Sequence, residues 1–180
     1  MPNTFSLSFI VAVLLMCCCR LWLTQRQMNC VMAHRAAVPA DFADRIDLGA
    51  HQRAADYTLA RSRFGRICLF VEVSLLLLLT FGGGLQAIHD FWSPRLDGLA
   101  YGVAVILSVV LLSAVVDLPL TIHRQFVIEE RFGFNRMTAA LFLTDLAKQA
   151  VLGLLIGAPA LLAVLWLMER MGPWWWFYVW

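Results

Sequence analysis

The sequence contains few charged residues for its length. Only 14% of its 180 residues are Asp, Glu, Lys or Arg, whereas about a quarter is typical of a soluble domain. This scarcity excludes an ordinary cytosolic globule, a disordered tail and a nucleic-acid-binding domain. The net charge of +2 also gives no indication of a polyanionic partner. Apolar residues are abundant instead, at 61% of the chain, and they indicate a membrane protein.

Long apolar runs make up most of the chain. A helix crosses a bilayer with about 20 mostly apolar residues, and four runs meet this length, at 5–23, 67–88, 99–122 and 150–168. The aromatic run 174–180 is too short to cross and is interpreted as the start of a fifth helix. The sequence therefore predicts an all-α, polytopic transmembrane helix bundle of four complete spans plus that start. A chain that stops there is expected to be cut from a longer protein.

The basic residues alternate between the connections. Twelve lie in the connections after the first and third runs, and two lie in the others. The positive-inside rule places the twelve in the cytoplasm, which puts the N-terminus outside. Compact spans with short external loops favour a bacterial inner membrane, with the endoplasmic reticulum as the alternative location.

The first basic connection is long enough to fold by itself. A cytoplasmic helix is predicted over 39–63, because Pro39 suits a first helical turn and acidic residues follow it. On such a helix, Arg53, Tyr57 and Arg61 are four residues apart and share one face. That face is interpreted either as a docking surface for another part of a larger protein or as the solvated side of a helix that lies along the membrane surface and runs into the second span.

Two acidic residues fall inside the predicted spans. Ionisable groups within a membrane are functional candidates by default, so Glu72 and Asp117 are candidates for a polar intramembrane chamber. Asp117 has an alternative interpretation, in which it extends towards the interface and pairs with an arginine. Pro119 is expected to kink or end its helix. Carboxylates at these positions also suit a proton-coupled transporter.

Residues 124–138 form the most informative stretch. A helix is predicted to stop at Gly133, because glycine is preferred just past a helix end, and Asn135 is then predicted to cap the next helix. Glu129 and Glu130 are adjacent and should point to different sides. Three aromatic residues in this connection need cover, from the membrane surface or from a further domain: Phe126, Phe132 and Phe134.

A family resemblance rests on this stretch. Residues 126–135 read Phe-Val-Ile-Glu-Glu-Arg-Phe-Gly-Phe-Asn and, with Thr138, closely resemble the signature of the CAAX prenyl protease family of integral-membrane zinc metallopeptidases. Weaker elements resemble the same family in the same order: Tyr57 with Arg61, the Phe-Gly-Gly turn at 81–83, Asp117 with Pro119, and the aromatic residues at 178–180.

The resemblance implies the N-terminal membrane domain of a zinc metalloendopeptidase. Its helices would form walls of an intramembrane chamber, and the signature residues would shape and dock the junction with the C-terminal metalloprotease domain of the same polypeptide. The residues assigned to this junction are Glu129, Glu130, Gly133, Phe134 and Asn135. The other implied partners are the lipid bilayer and a peptide or membrane-protein substrate, whether or not that substrate is prenylated.

Zinc is implied for the full-length family protein alone. In the family, a His-Glu-x-x-His helix and a later Glu bind the metal, all C-terminal to the region seen here. None of the histidines in this chain precedes a glutamate, and no two are four residues apart: His34, His51, His89 and His123. We therefore predict no catalytic residue, no metal ligand and no cofactor in this chain, and expect it to be inactive alone.

A second function class fits the same features. A stand-alone membrane adaptor or small transporter-like protein without protease activity would also carry intramembrane carboxylates and a basic cytoplasmic face. The incomplete fifth helix argues against it.

Overall fold

The computed structural model describes residues 3–179, and within that range the chain forms helices and no strand. The α-helices are α1 (Thr4–His34), α2 (Leu48–Thr80), α3 (Gly84–Trp92), α4 (Gly98–His123), α5 (Ala139–Met171) and α6 (Trp175–Val179). Short helical turns cover Ala40–Phe42 and Gly172–Trp174, and a π-helical turn covers Arg124–Glu129. The all-α prediction is confirmed.

Among the described residues, three helical stretches are long and apolar enough to cross a membrane: Thr4–His34, Gly98–Glu129 and Ala139–Val179. The pair α2 and α3, bent by 53°, adds a fourth if it is one span. The helices extend beyond the predicted runs, since a helix need not stop where its sequence becomes polar. Trp180, the last residue of the predicted fifth start, lies outside the described residues.

The helices of the structure do not follow the predicted boundaries of the cytoplasmic helix (39–63) and the second span (67–88). Helix α2 begins at Leu48, where the Asp47 side chain accepts hydrogen bonds from the backbone N–H groups of Gly49 and Ala50. This acidic cap, and not Pro39, starts the helix. Helix α2 then continues to Thr80 without a break, so no separate surface helix covers 39–63, and the run 67–88 is split by a turn at 81–83 where Gly83 has φ +79°.

Two helix ends differ from expectation. Helix α4 contains Pro119 and continues to His123, so Pro119 does not end the helix, and the kink that was its alternative stays a prediction. Helix α5 is capped by Thr138, whose side chain accepts from the N–H of Leu141 at 3.2 Å, so Asn135 is not the cap. Four residues lie between Gly133 and the cap at Thr138, whereas a cap at Asn135 would leave only Phe134 between them.

The chain divides into two compact units. The first unit contains residues up to Leu77 together with Leu120–Asn135, and the second contains Leu78–Pro119 together with residues from Arg136 onwards. In the second unit, Trp92 Nε1 donates to Ser108 Oγ at 2.9 Å, so α3 is hydrogen-bonded to α4.

Little of the described chain is buried. The buried side chains are all apolar, namely Val13, Met28, Ala55, Leu59, Phe64, Leu69, Leu79 and Ile128. Most large apolar side chains are exposed on the helices, as expected for helices that face lipid.

Candidate functional site

The signature segment lies in the first unit, between α4 and Asn135. The π-helical turn Arg124–Glu129 is followed by two more helical residues, Glu130 and Arg131, and the helix stops at Gly133, which has φ +75°. The Gly133 N–H donates to the Glu130 carbonyl at 3.0 Å, and the Phe134 N–H donates to the Glu129 carbonyl at 2.9 Å. This pair of bonds is the Schellman motif, which needs a left-handed residue at the position of Gly133. The predicted stop at Gly133 is confirmed, and π-helical turns are rare and often found at functional sites.

Tyr57 connects α2 to this segment. Its hydroxyl donates to Glu129 Oε1 at 2.7 Å, across 72 residues of sequence. The hydrogen bond to the carboxylate, helped by partial burial, raises the pKa of Tyr57 above its ordinary value of 10.0. Arg61 Nη1 donates to the same hydroxyl at 3.4 Å. The Tyr57 hydroxyl therefore stays protonated at physiological pH and can donate its hydrogen bond to Glu129.

Two of the aromatic residues in the connection pack on the Tyr57 ring. Phe132 lies edge-on with a centroid distance of 5.4 Å, and Phe134 lies edge-on at 4.9 Å. Edge-to-face pairs at this distance stabilise beyond the area they bury. Phe132 is half-buried, whereas Phe134 keeps 57% of its surface exposed. Tyr57 thus supplies part of the cover that these side chains were predicted to need.

Asn135 closes the segment on itself. Its Oδ1 accepts from Gln125 Nε2 at 2.9 Å, and its Nδ2 donates to Glu130 Oε2 at 2.8 Å. The two adjacent glutamates point to different sides, as predicted, since Glu129 binds Tyr57 and Glu130 binds Asn135. Gln125 was missed in the sequence analysis, because nothing in its context distinguishes it from other polar residues near a helix end.

An ion pair beside Tyr57 was also missed. Arg35 donates to both carboxylate oxygens of Asp56, from Nε at 2.7 Å and from Nη2 at 2.8 Å. These hydrogen bonds lower the pKa of the Asp56 carboxyl below its ordinary value and raise the pKa of the Arg35 guanidinium. The two residues are 21 apart and belong to different helical regions. A single sequence gives no signal for such a pair.

The Asp56 pKa predicts an acid dependence of stability. A carboxyl whose pKa is depressed by folding stabilises the protein above its unfolded pKa and loses that contribution as the pH falls through the folded pKa. We expect wild type to exceed Asp56→Asn in unfolding temperature at pH 7, and the gap to narrow below about pH 4. Thermal unfolding in detergent from pH 7 to pH 3 measures this. A gap that is constant with pH would show that the ionisation of Asp56 contributes nothing to stability.

Tyr57 and the four residues in direct contact with it form the Tyr57 cluster, namely Tyr57, Arg61, Glu129, Phe132 and Phe134. The remaining candidates are Arg53, Glu72 and Asp117. Arg53 Nε donates to the Gly49 carbonyl of its own helix at 3.4 Å. Glu72 lies 3.9 Å from Arg20 Nη1, and both side chains are more than half exposed. Asp117 occupies an exposed position on α4 in the second unit. Within residues 3–179, no group of three or more His, Cys, Asp or Glu residues is placed to hold a metal ion.

Comparisons with known proteins agree on one family. The family described as "CAAX prenyl protease N-terminal, five membrane helices" matches residues 27–180. A "CAAX prenyl protease 1 homolog" of Oryza sativa subsp. japonica is 33% identical, over 83% of this chain and 38% of its own length. The homolog of the same name in Arabidopsis thaliana is 27% identical, over 79% of this chain and 36% of its own length.

A solved structure shows the same fold. The crystal structure of S. mikatae Ste24p superposes with a TM-score of 0.84 at 23% identity, covering 99% of this chain and 43% of that one. This chain spans a little over a third of the length of the Oryza and Arabidopsis relatives. The chain is an integral, multi-pass membrane domain, and it belongs to the family of CAAX prenyl protease N-terminal domains.

Proposed function

We propose that this chain is the membrane part of a zinc metalloendopeptidase. In this role it lines an intramembrane chamber and docks a C-terminal metalloprotease domain of the same polypeptide. The proposal is supported by the family match together with the length of the relatives, which extend well beyond the matched region. Its substrate is a peptide or membrane protein that reaches the chamber. No chemical step is assigned to this chain, since its described residues do not offer a zinc site.

The Tyr57 cluster is the observation that carries the docking role. Tyr57 of α2 holds the signature segment through its 2.7 Å hydrogen bond to Glu129. Asn135 closes the segment on itself through hydrogen bonds of 2.8 and 2.9 Å. Phe134 nevertheless keeps 57% of its surface exposed beside this rigid frame. A large aromatic residue held in position and left half uncovered is suited to contact a further part of the polypeptide.

The membrane topology is part of the same proposal. We place the two arginine-rich connections in the cytoplasm, the N-terminus outside, and the bundle at four spans with the start of a fifth at 174–180. The charge asymmetry supports this arrangement. The Oryza and Arabidopsis relatives are eukaryotic and do not support the predicted bacterial inner membrane.

A split-protein experiment tests the docking role. The chain is expressed with the C-terminal remainder of the Oryza relative in cells that lack CAAX proteolysis, and cleavage of a CAAX peptide is measured in membranes. We expect activity only when both parts are present. Asn135→Ala should lower it about tenfold, because two hydrogen bonds that fix the segment are lost.

The matched control is Asn29→Ala. The Asn29 side chain also accepts a hydrogen bond from a glutamine, at 2.7 Å from Gln25 Nε2, but Asn29 lies on α1 outside the signature segment. The Asn29→Ala variant should therefore keep the activity of the unmodified pair. Equal activity of the Asn135→Ala and Asn29→Ala variants would show that the signature segment takes no part in docking. No activity from the paired parts, with both present in the membrane, would favour the stand-alone adaptor or transporter.

A further inference from the structure

A cavity of about 250 Å³ lies between α2 and the helical turn that follows α4, entirely within the first unit. Two arginines, a histidine and several apolar side chains line it, among them Arg63, Phe64, Ile67, His123, Arg131 and Phe132. The cavity adjoins the Tyr57 cluster through Phe132, and the Arg131 guanidinium lies over the Phe132 ring, 5.7 Å from its centroid.

The cavity has an apolar side and a basic side. Phe64 is buried and stacks on the His123 ring, with 4.9 Å between centroids. Arg63 and Arg131 are exposed at the cavity. The combination of an apolar wall with two guanidinium groups is suited to an amphipathic anion.

Neither cavity arginine is neutralised by a neighbour. Within residues 3–179, no carboxylate lies within 4.0 Å of the Arg63 or Arg131 guanidinium. The charge of Arg131 contributes to the lowered pKa of Asp56, but the Asp56 carboxylate is already paired with Arg35.

The two glutamates that precede Arg131 in sequence are also engaged. Glu129 accepts from Tyr57, and Glu130 accepts from Asn135. The positive charge of the cavity is therefore available to a ligand.

The cavity lies at the predicted membrane surface. Ile67 is the first residue of the second predicted span, and His123 directly follows the third, so both lining residues mark the level where the apolar interior ends. Lipid phosphates occupy this level, and basic cavities between membrane helices on the cytoplasmic side bind anionic headgroups. Guanidinium groups match the geometry of phosphate oxygens.

We propose that this cavity binds an anionic phospholipid, with Arg63 and Arg131 contacting the headgroup phosphate and with Phe64 and Ile67 contacting the adjoining acyl methylenes. The site takes no part in proteolysis, but it shares Arg131 and Phe132 with the signature segment, and its place at the cytoplasmic surface rests on the proposed topology. Bound lipid would fix the cytoplasmic end of α2 against the signature segment.

Native mass spectrometry of the purified full chain tests the site, with dioleoylphosphatidylglycerol as the anionic probe and dioleoylphosphatidylcholine as the neutral one. We expect tighter retention of the phosphatidylglycerol. The double variant Arg63→Gln/Arg131→Gln should weaken its binding about thirtyfold, from the typical contribution of two basic residues at a lipid surface. The matched control Arg45→Gln/Arg124→Gln removes the same charge at exposed positions that do not line the cavity, and should change binding less than threefold.

Three results would overturn the proposal: equal retention of the two lipids by wild type, equal weakening in both double variants, or displacement of the lipid by an equal concentration of inorganic phosphate. The second would indicate a diffuse surface field, and the third a soluble-anion site. If the glutamine variant does not fold, Arg63→Lys/Arg131→Lys replaces it. That variant keeps the charge but loses the two-pronged contact, and we expect several-fold weaker binding from it.

Discussion

Replacing Tyr57 with alanine is expected to lower the free energy of unfolding by about 2 to 3 kcal/mol. The substitution removes a half-buried aromatic ring from two edge contacts and deletes the hydrogen bond to Glu129. Tyr57→Phe keeps the ring and loses only the hydroxyl, so it should cost about 1 kcal/mol. Titration with SDS in mixed micelles, followed by circular dichroism, measures both values.

A tyrosine outside the cluster provides the comparison. Tyr178 is 58% exposed near the end of the described chain, and Tyr178→Ala should change the free energy by less than about 0.5 kcal/mol. If the alanine and phenylalanine variants of Tyr57 are equally stable, the contacts with Phe132 and Phe134 contribute nothing. If both Tyr57 variants are as stable as wild type, Tyr57 does not hold the signature segment.

Replacing Gly133 with alanine should cost about 1 to 2 kcal/mol in unfolding free energy. The residue has φ +75°, and an added Cβ would meet no atom within 4 Å, so the entire cost is backbone strain. Gly133→Asn should cost less, because asparagine tolerates the left-handed region better than alanine does. The same SDS titration measures both unfolding free energies. Backbone strain as the cause requires Gly133→Asn to be more stable than Gly133→Ala.

Gly65 is the matched control, because the same substitution should act with the opposite sign there. It lies inside α2, and a Cβ added to it also meets no atom within 4 Å. Gly65→Ala should therefore stabilise the chain by about 0.5 to 1 kcal/mol through helix propensity. A loss of stability on Gly65→Ala as large as that on Gly133→Ala would contradict the strain argument.

The helices could be predicted where one physical rule governs them. The run 99–122 became α4 (Gly98–His123), since a charge-poor apolar stretch has to be helical in lipid. Gly133 ended its helix as predicted, because few other residues adopt its conformation. The start of α2 at Leu48 was missed, since Pro39 and Asp47 offer competing caps and only the folded chain shows which is used.

The candidate site could be predicted only in part. The signature residues were identified by resemblance, and the spacing of Tyr57 and Arg61 was noted on one face. The partner of Tyr57 was not predictable, because Glu129 is 72 residues away and one sequence carries no information on distant pairing. The π-helical turn was equally hidden, since apolar periodicity does not report which carbonyl each N–H reaches. For the same reason Arg35 was not assigned to Asp56.

The distance in sequence between Tyr57 and Glu129 has a consequence for biosynthesis. Ribosomes add about 5 to 20 residues per second, so 72 residues separate the emergence of the two partners by roughly 4 to 14 s. Arg35 and Asp56, only 21 residues apart, meet well before that. During the interval the Tyr57 ring has neither its carboxylate nor its aromatic neighbours, while the intervening helices are still entering the bilayer. The order of translation therefore makes this cluster one of the last parts of its unit to assemble.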